Sequence, residues 1–212
     1  MPCCQCQGIE EQFNRKMAAR ELRQYRKKGP RRTTRMLIDA LKAEGIDGAT
    51  LLDIGGGVGA IQHELLSAGV RGITGVDAST AYLGAAAEEG DRRGYADRVR
   101  HRHGDFVELA PEIEPEDIVT LDRVICCYPD MQALVERSTE RVRKLYGVVY
   151  PRRTFWTKVG FAVINRLMRF RGSPFRAFLH EPAAVDTLVR SAGLVRRFYD
   201  TTFLWQVVVY AR

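Results

Sequence analysis

From residue 50 onward the chain alternates between short apolar runs and longer stretches whose apolar positions recur every three or four residues. Short runs bounded by glycine or charge read as buried strands, and the longer spacing reads as helix with one covered face. The strands so predicted are "TLLDIG" (50–55), "RGITGVDAS" (71–79), "RVRHRHGDF" (98–106), "DIVTLDRVICC" (117–127) and "YGVVYPRR" (146–153). The third is polar enough to belong near a sheet edge. The helices between and after them are Ala60–Ala68, Thr80–Gly90, Met131–Lys144, Phe155–Phe170 and Glu181–Ser191, the last closed by Gly193. Two final strands, "VRRFYDTTF" (195–203) and "WQVVVYAR" (205–212), are joined so tightly that they must pair antiparallel.

Ahead of this alternation, Ile9–Lys28 has helical composition, with Phe13, Met17, Leu22 and Tyr25 near helical spacing, and "KKGP" breaks it. Thr33 or Thr34 is placed to cap a second helix, Arg35–Glu44, with Met36, Leu37, Ala40 and Leu41 on one face. Residues 1–8 show no periodicity and are expected to be loose.

Alternating strands and helices imply an α/β fold with a parallel sheet covered on both faces. The closing hairpin makes the sheet mixed. The expected domains are an N-terminal helical arm (1–44) and a body (45–212), with a lid insert at about 152–180. Ligands in such sheets sit beyond the carboxyl ends of the strands, at the switch point.

The chain has 212 residues, and no apolar run approaches the roughly 20 needed to span a bilayer. No apolar leader is present at the N-terminus. Five cysteines, Cys3, Cys4, Cys6, Cys126 and Cys127, fall in two tight clusters, a poor disulfide framework that suits a reducing cytoplasm. The net charge of +7 is uneven. Residues 1–35 hold ten Lys/Arg against three Asp/Glu, and residues 150–176 hold seven Lys/Arg and no acid. Two basic segments on a mildly acidic body either form solvated faces or line a site for an acidic ligand.

The candidate chemistry centres on Asp53-Ile54-Gly55-Gly56-Gly57-Val58-Gly59. The loop ends without the Gly-Lys-Ser/Thr of a phosphate-binding P-loop. Counted from Gly55, its glycines satisfy the dinucleotide fingerprint with Ala60 in third place, so glycine spacing alone leaves a dehydrogenase open. Asp53, two places before the first glycine, repels a pyrophosphate and attracts a cationic amine, or orders the loop itself. S-adenosylmethionine brings an ammonium and a sulfonium and no phosphate, and suits this arrangement better.

On these residues the chain resembles the class I S-adenosylmethionine-dependent methyltransferases. The family's acidic-x-Gly-x-Gly-x-Gly motif is matched by Asp53, Gly55, Gly57 and Gly59, with Gly56 inside it. The resemblance implies that Asp77 in "GVDAS" holds the ribose hydroxyls, with Ala78 beside it. It implies that Asp105 in "HGDF" contacts the adenine amine, with Phe106 packing on the ring. It also implies a Rossmann-like sheet of seven strands, six parallel and one antiparallel, with helices on both faces and an N-terminal helical arm. Asp77 and Ser79 are equally placed to cap a helix, and Gly56 to be loop filler.

The second half also looks like the magnesium-protoporphyrin IX O-methyltransferases. "LD" then "YP", "KVG" and "AFLHE" occur in that family's order, though Cys127 stands where the family carries a histidine. This resemblance implies a small, apolar, anionic acceptor and favours O-methylation. The acceptor would be held by the arm, the loop after strand four and the insert. Candidate substrate-binding residues are Tyr25, Arg123, Arg152 and Trp156. Arg123 is anomalous inside an apolar strand, where it either meets an acceptor carboxylate or pairs with an acid. Candidate catalytic residues are His180, Tyr128 and Cys127, although a carboxylate acceptor needs no base. The helix at 155–170 reads as core-facing, as a lid, or as lying on a membrane surface. Alternatives are a non-enzymatic S-adenosylmethionine-binding scaffold and a nucleic-acid methyltransferase, the latter prompted by the basic arm. A cysteine site for arsenite or zinc is disfavoured and no metal is expected.

Overall fold

The computed structural model describes residues 4–212, with side chains from Gly8 onward. Cys3 and the side chains of Cys4 and Cys6 lie outside the described residues, as does any metal reading that rests on them.

The arm is three helices, α1 (Cys4–Gln12), α2 (Arg15–Lys28) and α3 (Arg32–Ala43). The single helix expected over Ile9–Lys28 is in fact two. The Asn14 side chain accepts from the amides of Lys16 and Met17 and so starts a new helix, an N-cap that a periodicity reading passes over. Residues 4–8 are helical, not loose. Neither Thr33 nor Thr34 caps α3, which begins at Arg32 without a side-chain cap.

The body runs β1 (Thr50–Ile54), α4 (Ala60–Ser67), β2 (Gly72–Asp77), α5 (Thr80–Arg92), β3 (Val99–His103), α6 (Phe106–Leu109), β4 (Glu116–Asp122), α7 (Met131–Thr139), β5 (Val142–Pro151), α8 (Phe155–Phe170), α9 (Pro182–Ser191), β6 (Val195–Thr201) and β7 (Trp205–Ala211). The seven strands form one sheet in the order β3-β2-β1-β4-β5-β7-β6, with β7 antiparallel to both neighbours and the rest parallel. This is the seven-stranded Rossmann-like sheet that the resemblance implied, with polar β3 at one edge as the pattern suggested.

Residues alternate between the sheet's two faces, as strand geometry requires. Leu52, Ile54, Val119, Leu121, Tyr146 and Val148 pack with Leu134, Val135, Val185 and Val189 of α7 and α9. Leu51, Ile73, Ile118, Leu145 and Val149 pack on the other side with Leu37, Leu41, Ile61 and Leu65 of α3 and α4. A third cluster, Ala18, Leu22, Tyr25, Val58, Tyr82 and Ala85, seats α2 on α5 above the glycine loop. The seat is reinforced at Glu89. Its side chain is fully buried and receives Arg26 at 2.8 Å, Arg92 at 2.5 Å and Arg93 at 2.7 Å. These hydrogen bonds hold its carboxyl well below the usual range.

Two boundaries differ from expectation. The helix from Met131 stops at Thr139, because Val142–Lys144 already belongs to β5, whose first residue is in register with Glu116. Strand β4 stops at Asp122, and Ile125–Cys127 form a helical turn, so the expected strand over 117–127 is cut in two.

Candidate active site

At the carboxyl ends of β1, β2 and β4 lies a cavity of about 380 Å³, within the range of small-molecule sites. Its floor is the glycine loop. Gly55, Gly57 and Gly59 take φ of 63°, 57° and 75°, the left-handed region open to glycine, and so turn β1 sharply into α4.

Asp53 is fully buried and is not among the cavity-lining residues. Its Oδ1 accepts from the Thr120 hydroxyl at 2.7 Å and its Oδ2 from the Gln62 amide at 3.0 Å. Desolvation raises its pKa to about 7. Of the two roles expected of it, the structure gives it the ordering of the loop. A ligand meets Gly55, Gly56 and Gly57, with the carboxylate underneath. Gly56 is more than filler, because a Cβ there would fall 2.3 Å from Oδ2 of Asp53 and 2.5 Å from the Gln62 amide nitrogen.

Asp77 lies on the wall at the end of β2. Its Oδ1 accepts the Ser79 amide at 2.8 Å and its Oδ2 the Gly57 amide at 3.1 Å. Burial raises its pKa to about 6 against the pull of these two bonds. The helix cap nearby is Ser79, which accepts from Tyr82. Two backbone N–H groups fix the carboxylate's orientation, and each oxygen keeps a further lone-pair direction for a hydroxyl donor. Ala78 continues the wall.

Asp105 and Phe106 follow β3 and line the next part of the cavity. Asp105 caps α6 through the Val107 amide at 2.9 Å. It also accepts the Tyr128 hydroxyl at 2.9 Å on both oxygens. Tyr128 is thereby tied across the cavity to the wall opposite its own loop.

Beyond β4 the chain turns at Arg123, whose φ of 63° is the one left-handed non-glycine conformation among the described residues. Such strain gathers where a side chain must be aimed. Arg123 is outside the strand, not within it as its apolar neighbours suggested. Its Nε donates to Asp122 at 3.0 Å, and its Nη2 donates to Asp122 and to the Thr34 hydroxyl at 3.2 Å each. Thr34 in turn donates to Asp122 at 2.5 Å, linking arm to body. The Arg123 Nη1 donors have no hydrogen-bond partner among the described residues.

Cys126 and Cys127 stand with sulfurs 3.9 Å apart. The hydrogen bond between them, with burial, pushes Cys126 up, and the same bond draws Cys127 down. Among the described residues, no group of three or more potential metal ligands exists.

The remaining expected residues are placed elsewhere. Tyr25 is on the wall, but its hydroxyl donates outward to Glu64 at 2.7 Å, so only the ring faces a ligand. Gly59, His180, Arg152 and Trp156 are not among the lining residues. Gly59 instead begins α4. The His180 Nε2–H donates to the Tyr128 carbonyl at 2.9 Å, and its ring stacks on Phe178. Arg152 donates to the Thr202 carbonyl at 3.0 Å, and Trp156 projects into solvent. Phe13, Glu21, Arg31, Asp122 and Trp205, none of them a candidate site residue from the sequence, also line the wall. Phe13 in the arm's apolar spacing, Asp122 in the "LD" block and Trp205 opening the strand after a tight turn carried local signals, and Glu21 and Arg31 carried none.

The lining holds four carboxylates, those of Glu21, Asp77, Asp105 and Asp122, against the guanidinium groups of Arg31 and Arg123. Arg31 is itself paired with Glu21 at 2.6 Å. This wall repels a pyrophosphate and accepts a cation that also offers hydroxyls, which fits S-adenosylmethionine.

The fold and this wall place a site suited to a cationic, hydroxyl-bearing ligand at the carboxyl ends of the strands. Residues 51–147 match the methyltransferase domain family. No curated protein matches the chain by sequence. Among solved structures, magnesium protoporphyrin IX methyltransferase from Synechocystis PCC 6803 with bound S-adenosylhomocysteine superposes with a TM-score of 0.70 at 20% identity, covering 85% of this chain and 82% of that one. A putative methyltransferase of Haloferax volcanii, solved with a methyltransferase activator, gives 0.68 at 16% identity over 96% of each chain. A putative sarcosine dimethylglycine methyltransferase from Galdieria sulphuraria gives 0.66 at 14% over 85% of each. These likenesses establish the fold. With the methyltransferase domain matched over residues 51–147, they support S-adenosylmethionine-dependent methyl transfer.

Proposed function

We propose that this enzyme methylates a small, apolar, anionic acceptor, most readily on oxygen. The observation that carries this reading is the make-up of the cavity's acceptor half. Phe13, the Tyr25 ring, Pro30 and Trp205 supply apolar surface to the lining, and Arg123 on the same lining has two Nη1 donors without a hydrogen-bond partner among the described residues. Arg123 is charge-balanced by Asp122, so it recognises an anion by hydrogen-bond geometry more than by net field.

S-adenosylmethionine supplies a methyl carbon on a good leaving group. The protein's work is therefore alignment and exclusion of water. Asp77 would hold the ribose, Asp105 and Phe106 would receive the adenine, and the glycine loop would hold the rest of the cofactor. The arm closes the cavity from above through Tyr25 and the Thr34–Asp122 bond. Tyr128, fixed by Asp105 and by the His180 contact to its carbonyl, positions the loop that carries Cys126 and Cys127. His180, which is off the cavity lining, acts through Tyr128. An ionised acceptor carboxylate needs no general base, and the wall offers none already aligned.

The test is transfer of labelled methyl to small-molecule extracts, with the labelled product identified by mass. The reading expects an organic-acid ester or aryl ether. A labelled nucleic acid or protein with no labelled small molecule would replace it.

A further inference from the structure

Helix α8 leaves the body with its apolar side bare. A capping box between Thr154 and Thr157 starts it, and of its sixteen residues only Thr157 is buried. Phe155 is 69% exposed, Trp156 62%, Val163 60% and Phe170 75%, with Val159 and Leu167 also exposed. These six lie within an arc of about 120° at roughly 100° per residue. The half-buried Phe161, Asn165 and Met168 lie on the opposite side with Thr157 and face the protein. Asn165 locks that side by exchanging two 2.8 Å hydrogen bonds with the Ala177 backbone. The bare stripe is therefore not the unused back of a core helix but a second apolar face turned away from the molecule.

Its flanks are basic. Lys158 and Arg169 border one edge of the stripe and Arg171 the other, Arg166 lies within it with its guanidinium 5.3 Å from the Phe170 ring centre, and residues 150–176 contain no acid. The β6–β7 turn, whose Phe203 and Leu204 are exposed, is tied to the start of this segment. The Arg152 amide donates to the Leu204 carbonyl at 2.9 Å, and its guanidinium to Thr202.

We infer that α8, with the neighbouring Phe203–Leu204 turn, is a membrane-surface anchor that seats the enzyme on an anionic lipid bilayer. Charge selects this occupant. In a twofold contact a second copy would place Lys158, Arg166, Arg169 and Arg171, which no acid of residues 150–176 offsets, against themselves. An anionic interface accepts the basic edges while the aromatic stripe enters the acyl boundary. No helix among the described residues is long and apolar enough to cross a membrane, so the contact lies in the plane of the surface.

The test uses the full chain and vesicles of phosphatidylcholine, with or without phosphatidylglycerol. Co-sedimentation is expected only with the anionic vesicles and is reduced by salt, and tryptophan emission shifts to the blue. Arg166→Gln/Arg169→Gln is expected to weaken binding by about thirtyfold. Phe155→Ala/Phe170→Ala should abolish the emission shift while circular dichroism stays native. Equal binding to both vesicle types, or binding to neither, would overturn the inference. So would a concentration-dependent dimer by sedimentation velocity that the phenylalanine variant dissolves, since a second copy would then own this face.

Discussion

A methyl group at position 56 would stand 2.3 Å from Oδ2 of Asp53, a carboxylate that no solvent reaches. The glycine loop is thus moulded on a buried acid and its two donors, Thr120 and Gln62. Gly56→Ala should cost about 1–3 kcal/mol through overpacking. At about 2–4 °C per kcal/mol for a chain of this size, the melting temperature should fall by several degrees, with weaker cofactor binding. Gly84, exposed in the middle of α5 with nothing near its Cβ position, is the control. There alanine should stabilise by about 0.5–1 kcal/mol. Thermal melts of the two variants check both signs.

Asp77 and Asp53 make the empty protein sensitive to pH. Their folded pKa values, about 6 and about 7, lie above the ordinary 3.8. The stability they contribute is fully present below about pH 4 and is lost as pH rises through 6 to 7. Cofactor binding runs the other way, because ribose hydroxyls donate best to an ionised Asp77. Affinity should fall by about tenfold per pH unit below 6. Titration calorimetry across pH 5–8 should show this slope for the native protein and a flat line for Asp77→Asn.

Glu89 is the clamp between arm and body. Its folded pKa lies below that of the unfolded chain, so its stabilisation is full above about pH 4.5 and is lost as pH falls below that. Glu89→Gln leaves three arginines facing a neutral amide. Their outer ends reach solvent, so the cost should be about 1–3 kcal/mol, below that of a wholly buried pair. Limited proteolysis should cut the arm of this variant before the body.

Much of this architecture was legible because strand and helix periods are local. The β1–loop–β2 unit, α8 and the closing hairpin all stand within a residue or two of where the pattern puts them. The break at Asn14 was missed because a side-chain cap leaves no trace in apolar spacing. Arg123 was misread as part of a strand because its neighbours are apolar, and nothing local announces a left-handed turn. The Thr34–Asp122 bond joins residues 88 apart in the chain, beyond any local signal. Helix α8 showed its apolar stripe plainly, but a periodicity says only that a face is apolar, and only the structure shows that no described residue covers it.

Arg123 offers a test of the acceptor side alone. Arg123→Gln keeps a donor but loses the fork, and should raise the acceptor KM about tenfold or more while leaving cofactor affinity within about twofold. Steady-state kinetics with the acceptor found by the labelling screen would show the split.

The most direct test of the account is the affinity of S-adenosylhomocysteine for the native protein and for Asp77→Ala, measured by calorimetry beside a pyrophosphate dinucleotide. The account predicts that the native chain binds the thioether and ignores the dinucleotide, and that the variant loses about 1–3 kcal/mol, roughly five- to 150-fold. Tight dinucleotide binding, or a variant that binds the thioether as well as the native protein, would contradict it.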